Sequence, residues 1–192
     1  MTIGVFGGSF NPPHVAHLAV AEACAEAAGL DRVLWMPAPA PPHKDARALA
    51  APAHRLAMAR LAVAGNARFA VSDAEFRRPG PHYSVDTLRA LRAEHPDADL
   101  ALVVGGDSLA GFHTWREPGA ILGMARLVVY ARPGADLSGV GADVLARATR
   151  VDGPGLDLSA TDLRARIAAG RSVRYLVPDA VRAYIDAHGL YR

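Results

Sequence analysis

The chain has 192 residues, of which 51% are hydrophobic and 21% charged, as is typical of one folded domain spanning residues 1–192. The net charge is only +2, and the pI of 9.0 comes from scattered arginines, so the composition does not indicate a nucleic-acid partner. A single cysteine excludes an intrachain disulfide, and the lack of a leader-like N-terminus or a long apolar stretch predicts a cytoplasmic protein without a membrane segment.

Short apolar runs alternate with helix-forming runs along the chain. A first strand is predicted over 2–6, followed by a helix over 14–28 that Gly29 would end. A second strand over 31–37 leads into the proline-rich loop 38–52. Further strands are predicted over 67–73, 99–107 and 125–134, and further helices over 53–65, 84–95, 159–170 and 177–189.

The predicted strands are continuous apolar runs that recur about every 30 residues, with helices between them. This pattern is typical of a parallel sheet covered on both faces. We therefore predict an α/β fold, Rossmann-like and doubly wound, with a helical C-terminal end and with Ser84 as the N-cap of its helix. Such sheets bind ligands beyond the carboxyl ends of their strands, where the sequences GGSF, PAPAPPHK and GGDS lie.

The stretch GVFGGSFNPPHVAH joins the first predicted strand to the first predicted helix. Its glycines, Gly4, Gly7 and Gly8, do not have the G-x-G-x-x-G spacing of a dinucleotide-binding loop. Gly7 and Gly8 still allow the main chain to approach a phosphate or ribose closely. His14 and His17 would share the first turn of a helix whose N-terminus attracts anions, which favours a phosphate site.

Zinc is an alternative use of paired histidines. The spacing of His14 and His17 is one residue short of the metalloprotease pattern, no glutamate lies beside His14, and Cys24 is the only thiol. A plainer alternative makes His14 a helix cap and His17 a half-buried helix residue. The position of the pair after a strand and two glycines favours phosphate binding over both alternatives.

The 21 basic residues include one lysine, Lys44, in the proline-rich loop. In a sequence that otherwise uses arginine throughout, a retained lysine indicates that a compact ammonium group is needed at this position. Chance is the alternative explanation.

The motif GGSFNPPHVAH resembles the N-terminal motif of the nucleotidyltransferase superfamily that carries the HxGH pattern, with Ala16 in place of the usual glycine. PPHK, which contains Lys44, resembles the loop lysine segment of that superfamily. Four further segments resemble those of bacterial nicotinate-nucleotide adenylyltransferases: HYSVDTL, VVGGDSLAGFHTWRE, DLSATDLR and the C-terminal VRYLVPDAVRAYIDAHGLY. In DLSATDLR, Ala160 replaces a serine. The resemblance extends from Ile3 to Tyr191.

This resemblance implies transfer of AMP from ATP to the 5′-phosphate of nicotinate mononucleotide, which gives nicotinate adenine dinucleotide and pyrophosphate. Since the attacking oxygen is already an anion, we expect no general base, and alignment and charge neutralisation would accelerate the reaction. Mg²⁺ is implied as a cofactor held by the ATP phosphates and water, with no metal ligand from protein side chains. The implied catalytic residues are His14, His17, Lys44 and Arg164.

By the same resemblance, two further groups of residues would hold the substrates. The implied ATP-binding residues are Gly7, Gly8, Ser9, Phe10, Gly106, Asp107, Ser159 and Thr161. The implied binding residues for nicotinate mononucleotide are Lys44, Tyr83, Ser84, Trp115 and Arg116. The pyridine ring would stack on Trp115, and main-chain N–H groups around Tyr83 and Ser84 would favour its carboxylate over an amide.

Several of these residues also have structural explanations. Asp107 could cap the helix that follows it, Trp115 could be a core aromatic residue, and Arg164 could be a solvated arginine. Ser159 and Thr161 could cap a helix and still bind phosphate.

Two other functions stay open at this point. One is a related adenylyltransferase that acts on nicotinamide mononucleotide or phosphopantetheine, and the other is a non-catalytic nucleotide-sensing module. The complete set of His14, His17, Lys44 and Arg164 argues against the sensor. The sequence leaves open whether the chain forms a homo-oligomer.

Overall fold

The computed structural model describes residues 1–40, 49–131, 139–153 and 155–192. Within them, a six-stranded sheet has the order β3-β2-β1-β4-β5-β6. Every neighbouring pair of strands is parallel. The strands are β1 Thr2–Gly8, β2 Arg32–Pro37, β3 Phe69–Val71, β4 Asp99–Gly105, β5 Ala125–Ala131 and β6 Ala148–Asp152.

Helices connect the strands and complete the C-terminal end. The first helix ends at the predicted position, because Gly29 takes the left-handed φ of +57° that a residue without a side chain adopts at little cost. The helices are α1 Val15–Ala27, α2 Pro52–Val63, α3 Ser84–Glu94, α4 Gly106–Ala110, α5 Pro118–Met124, α6 Ala142–Ala146, α7 Ala160–Ala168 and α8 Asp179–Ala187.

The chain order of the strands reverses between β1 and β4. From β1 the chain builds outward through β2 to β3, and it then returns to the other side of β1 and builds outward through β4, β5 and β6. β1 and β4 are paired from Thr2 with Asp99 to Phe6 with Val103. Because the connections leave these two strands in opposite directions, a crevice forms beyond their carboxyl ends.

Alternate side chains of the central strands enter two cores, one on each face of the sheet. In β1, Ile3 and Val5 enter one core and Phe6 enters the other. In β4, Leu102 and Val103 are divided between the cores in the same way. Burial on both faces explains why these strands are continuous apolar runs in the sequence.

A third core attaches the C-terminal helices to α2. Met58 of α2, Leu163 of α7 and Val181 of α8 are fully buried in it. The removal of these side chains from water holds α7 in place beside the sheet.

The predicted α/β doubly wound class is confirmed, but the structure differs locally from the sequence-based expectation in one unpredicted strand and in two wrong predictions. β6 is not among the predicted strands, because Val151 is its one buried residue and the strand forms no apolar run. β3 has three residues and not the seven of 67–73. Ser84 is the first residue of α3, and Tyr83 occupies the N-cap position without a side-chain capping hydrogen bond.

Cys24 is a free, buried residue of the core that contains Phe6. Burial raises the pKa of its thiol to about 12, since the thiolate would lose its hydration there. The thiol therefore stays protonated and packs as a small apolar side chain. Of the helices in the described parts of the chain, none has both the length and the apolar character needed to cross a membrane.

Candidate active site

A cleft of about 340 Å³ lies beyond the carboxyl ends of β1 and β4. It occupies the crevice that the reversal of strand order creates. Ser9 follows β1, and Gly106 follows β4 and begins α4. The residues that line the cleft are Phe6, Ser9, His14, Ala16, His17, Val20, Gly105, Gly106, Asp107, Ser108, Tyr130, Leu156, Leu158, Ser159, Ala160 and Thr161.

The N-terminal ends of two long helices meet at this cleft. α1 contributes His14 and His17, and α7 contributes Ala160 and Thr161. These helices have 13 and 9 residues. The first N–H groups of a helix lack intrahelical acceptors and carry a partial positive charge. The cleft is therefore suited to phosphate groups.

His14 and His17 face each other at the start of α1. Their ring centroids are 3.7 Å apart, and the main-chain N–H of His14 donates a hydrogen bond to Nδ1 of His17 over 3.2 Å. Because Nδ1 of His17 accepts this bond, the ring proton lies on Nε2, which makes Nε2 a donor. The methyl group of Ala16, at the usual glycine position, lines the cleft and leaves the two rings in contact.

Phe10 turns the chain between β1 and α1. Its φ of +45° lies in the left-handed region, which is unusual for a bulky residue, and its side chain is 1% exposed. The ring lies 4.8 Å from Trp35 and 5.2 Å from His17. Phe10 therefore anchors the loop in the core and supports the His17 ring, so only its main chain is available for the predicted contact with a nucleotide.

Gly7 and Gly8 have different surroundings at the end of β1. A Cβ atom on Gly8 would lie 2.9 Å from the ring of Phe10, whereas a Cβ atom on Gly7 would meet nothing within 4 Å. Packing therefore requires glycine at position 8. Gly7 borders open space, from which a ligand can approach the main chain.

Arg164 reaches the loop after β1 from far along the chain. Its Nη1 donates to the carbonyl oxygen of Asn11 over 3.0 Å, and its Nη2 donates to Oγ1 of Thr161 over 3.3 Å. The side chain of the buried Asn11 accepts from the main-chain N–H of Ala50 over 3.0 Å and from the hydroxyl of Tyr191 over 2.8 Å. Asn11 lies inside the GGSFNPPHVAH motif but is not among the predicted site residues.

Ser159 is the N-cap of α7, as one of the structural explanations proposed. Its Oγ accepts from the main-chain N–H of Asp162 over 3.1 Å and donates to Oδ2 of the same residue over 2.6 Å. Asp107 does not cap the helix that follows β4, because it lies inside α4 and Gly105 occupies the N-cap position. Its carboxylate belongs to the cleft lining.

Tyr83, Trp115 and Arg116 lie outside the residues that line the cleft. The Arg116 guanidinium carbon lies 4.8 Å from the centroid of the Tyr83 ring, a cation–π contact. The ring of Trp115 lies 5.3 Å from that of Phe112, and Trp115 and Tyr83 are partly buried against the same core. Ser84 opens α3 directly after Tyr83, so Tyr83, Ser84 and Arg116 lie together at a further helix N-terminus.

A buried hydrogen-bonded group holds the chain that leads into α3. The Thr87 hydroxyl donates to Oε1 of Glu75 over 2.6 Å and accepts from Nη2 of Arg78 over 3.0 Å. Thr87 and Glu75 are both buried, so these bonds replace water that the groups have lost. These three residues are not among the predicted site residues, although Thr87 belongs to the HYSVDTL motif.

Lys44 lies outside the described residues, which stop at residue 40 on one side of it and resume at residue 49. Within the described part of the chain, no three residues of His, Cys, Asp or Glu are grouped so that they could hold a metal ion. The cleft lining itself offers one carboxylate, Asp107, among the described residues.

Comparison with known proteins identifies the fold class and the family of the chain. Residues 5–166 match the family model described as Cytidylyltransferase-like. In the solved structure titled "Plasmodium falciparum nicotinic acid mononucleotide adenylyltransferase complexed with NaAD", the matched region covers 99% of this chain and 97% of the other, with a TM-score of 0.81 and 16% identity. At that identity the likeness shows the fold. The fold and cleft therefore define a protein of the cytidylyltransferase-like class.

Two full-length relatives identify the family within this class to which the chain belongs. A protein of Salinibacter ruber named "Probable nicotinate-nucleotide adenylyltransferase" is 51% identical, with 100% of this chain and 98% of the relative covered. A protein of the same name from Thermomicrobium roseum is 48% identical, with 99% and 91% covered. The chain belongs to the nicotinate-nucleotide adenylyltransferase family.

The packing of Gly8 against Phe10 predicts unequal effects of adding one methyl group at neighbouring positions. We expect Gly8→Ala to lower the free energy of unfolding by about 1–3 kcal/mol, because the buried ring cannot move away. Gly7→Ala, the matched control, should change it by less than about 0.5 kcal/mol. Urea denaturation measures both variants. Equal losses would contradict the different roles assigned to the two glycines.

Proposed function

We propose that the chain transfers AMP from ATP to nicotinate mononucleotide, releasing pyrophosphate and forming nicotinate adenine dinucleotide, a step of NAD biosynthesis. The observation that carries this proposal is the convergence of the α1 and α7 N-termini and His17 at one cleft. Arg164 lines a neighbouring cavity with Thr161, which also lines the cleft, and it is hydrogen-bonded to the loop after β1. That arrangement matches what a reaction between two phosphate-bearing substrates needs. Membership of the nicotinate-nucleotide adenylyltransferase family supports the choice of substrates.

The chemistry needs alignment and charge neutralisation more than proton transfer. The attacking atom is a phosphate oxygen that is already an anion, so no general base is required. The bond from this oxygen to the α-phosphorus forms as the bond from the α-phosphorus to the pyrophosphate oxygen breaks. Groups that hold the two substrates in line and stabilise the charge on the departing pyrophosphate then accelerate the step.

The two histidines and Arg164 bind different phosphates of ATP. His17 donates from Nε2 to the α-phosphate, and His14 contacts the phosphates beside it. Arg164 binds the β- and γ-phosphates together with the hydroxyl groups of Ser159 and Thr161. The hydrogen bond from Arg164 to the Asn11 carbonyl supports this role, because it keeps the guanidinium beside the loop after β1.

The remaining ATP contacts come from the ends of β1 and β4. The main chain of Gly7, Gly8, Ser9 and Phe10 lies along the nucleotide. Gly106 approaches the adenosine ribose, whose hydroxyl groups donate to the Asp107 carboxylate. The place of Ser9 and Asp107 in the lining of one cleft supports this arrangement.

Nicotinate mononucleotide occupies the region around the start of α3. Its pyridine ring stacks on Trp115, and its carboxylate accepts from main-chain N–H groups near Tyr83 and Ser84. Arg116, held over the Tyr83 ring, adds a positive charge nearby. An anion is favoured at the N-terminus of an 11-residue helix, which supports preference for nicotinate over nicotinamide. Lys44 binds the phosphate of nicotinate mononucleotide and orients it toward the α-phosphorus of ATP.

Mg²⁺ is part of this proposal as an ion bound through ATP. The single carboxylate among the described lining residues, Asp107, is too few for a protein cage but fits an ion that keeps waters and phosphate oxygens as its ligands. Bound in that way, the ion would neutralise charge on the phosphates.

The proposed activity predicts which mononucleotide supports pyrophosphate release. With ATP and Mg²⁺, we expect release with nicotinate mononucleotide at least about 10-fold faster than with nicotinamide mononucleotide, since an amide places its own N–H donors against donors. A coupled pyrophosphate assay measures both rates. Equal rates would contradict the preference for nicotinate, and no release with any mononucleotide would favour a nucleotide sensor.

The role of His17 predicts a large loss of turnover in His17→Ala. We expect kcat to fall by about 100-fold or more, because a donor to the transferred phosphate is lost. His95→Ala is the matched control, since His95 follows the C-terminal end of α3 and lies outside the cleft lining. Turnover of His17→Ala within about threefold of the control would remove His17 from the proposed role.

A further inference from the structure

Arg55 is a fully buried arginine in α2, with 0% of its surface exposed. Within the described part of the chain, it donates hydrogen bonds to main-chain carbonyl oxygens. These bonds run from Nε to Ala50 over 3.0 Å, from Nη1 to Ser9 over 3.0 Å, from Nη1 to Ala38 over 2.6 Å and from Nη2 to Pro39 over 2.6 Å.

The four carbonyl groups belong to segments that are separate in sequence. Ser9 follows β1, Ala38 and Pro39 follow β2, and Ala50 precedes α2. One guanidinium group therefore holds the loop after β1 against the described chain on both sides of residues 41–48. Among the described residues, the main-chain hydrogen bond between these segments beyond β2 is that of the Ala38 N–H to the Gly8 carbonyl oxygen, over 2.9 Å.

Ala50 extends this network toward the phosphate-binding residues. Its carbonyl oxygen accepts from Arg55, and its N–H donates to the side chain of Asn11. The carbonyl oxygen of Asn11 in turn accepts from Arg164. Arg55 is thus connected through Ala50 and Asn11 to a residue assigned to the phosphates, and through Ser9 to the lining of the cleft.

Burial of a charged guanidinium group costs free energy, which its hydrogen bonds to carbonyl groups offset only in part. A buried arginine is therefore expected where a neutral side chain could not make the same bonds. Burial lowers the pKa of Arg55, because the cation has lost its hydration. The planar fork of a guanidinium offers five N–H donors in fixed directions, whereas a lysine ammonium offers three around one point. Arginine can therefore hold carbonyl groups of three segments at fixed mutual positions.

We propose that Arg55 is a positioning residue for AMP transfer. It fixes the loop that leads from β1 to His14 and His17 relative to the two ends of the segment that contains Lys44. Each substrate still meets its own binding groups when Arg55 is changed, but the two substrates lose their alignment. This inference rests on the proposed function.

Arg55→Lys tests the proposal, with Arg92→Lys as the matched control. Arg92 also donates to two main-chain carbonyls, those of Ala98 over 2.9 Å and Met124 over 2.8 Å. Ala98 and Met124 directly precede β4 and β5, so these carbonyls lie at the amino ends of the strands. The cleft lies beyond the carboxyl ends. Both substitutions remove a guanidinium fork and should lower Tm, so the control separates loss of stability from loss of alignment.

In steady-state assays well below Tm, we expect Arg55→Lys to lower kcat by about 10- to 100-fold, the cost of misaligned reacting groups. Its KM for ATP and for nicotinate mononucleotide should stay within about threefold of the wild type, because binding groups are kept. Arg92→Lys should keep kcat within about twofold. If Arg55→Lys does not fold, Arg55→Gln, which keeps two N–H donors without the buried charge, replaces it in the same comparison.

The outcomes separate the two proposals. If the wild type makes dinucleotide and Arg55→Lys keeps the kcat of Arg92→Lys, the positioning role is wrong. A rise in KM at unchanged kcat, or failure of both Arg55 variants to fold, also contradicts it, because Arg55 would then act on binding or on the whole fold. If the wild type releases no pyrophosphate, the proposed function itself fails.

Discussion

β1 and β4 run side by side and parallel, but the chain leaves their carboxyl ends toward opposite edges of the sheet. The two connections separate at this point and leave a crevice that no other strand pair of this sheet provides. α1 starts on one side of it and α4 on the other, and the third core brings the N-terminus of α7 to the same place. The order of the strands therefore determines where the crevice lies, and the side chains determine what it can bind.

The loop after β1 is held more firmly than a surface turn. Phe10 is buried under the His17 ring, Asn11 receives hydrogen bonds from two distant segments, and the Ser9 carbonyl accepts from Arg55. A turn fixed in this way needs little reorganisation to bind a ligand. Its rigidity comes from contacts with residues far apart in sequence.

The cleft lining contains few formally charged side chains. The net charge of the chain is +2, and the polar groups of the cleft lining in the described residues are helix N-termini, histidines, hydroxyl groups and Asp107. Helix N-termini direct N–H groups at an anion without the repulsion that a dense group of cations would create. Arg164 adds a full charge beside this lining, where it is hydrogen-bonded to the main chain.

The sequence predicted the parts of this account that depend on local pattern. Continuous apolar runs predicted the parallel sheet, and the site residues predicted from motifs include seven of the sixteen residues that line the cleft, among them His14, His17 and Asp107. It could not predict β6, whose residues lack an apolar pattern because the strand lies at the sheet edge. Nor could it predict the bonds of Arg55 and Asn11, because partners separated by up to 180 residues meet only after folding.

The most direct test of the account is a crystal structure of the chain with nicotinate adenine dinucleotide bound. The account predicts the diphosphate at the N-terminus of α1, about 3 Å from Nε2 of His17, with the ribose of adenosine at Asp107 and the pyridine ring against Trp115. A diphosphate bound away from α1, or a pyridine ring that does not contact Trp115, would contradict it.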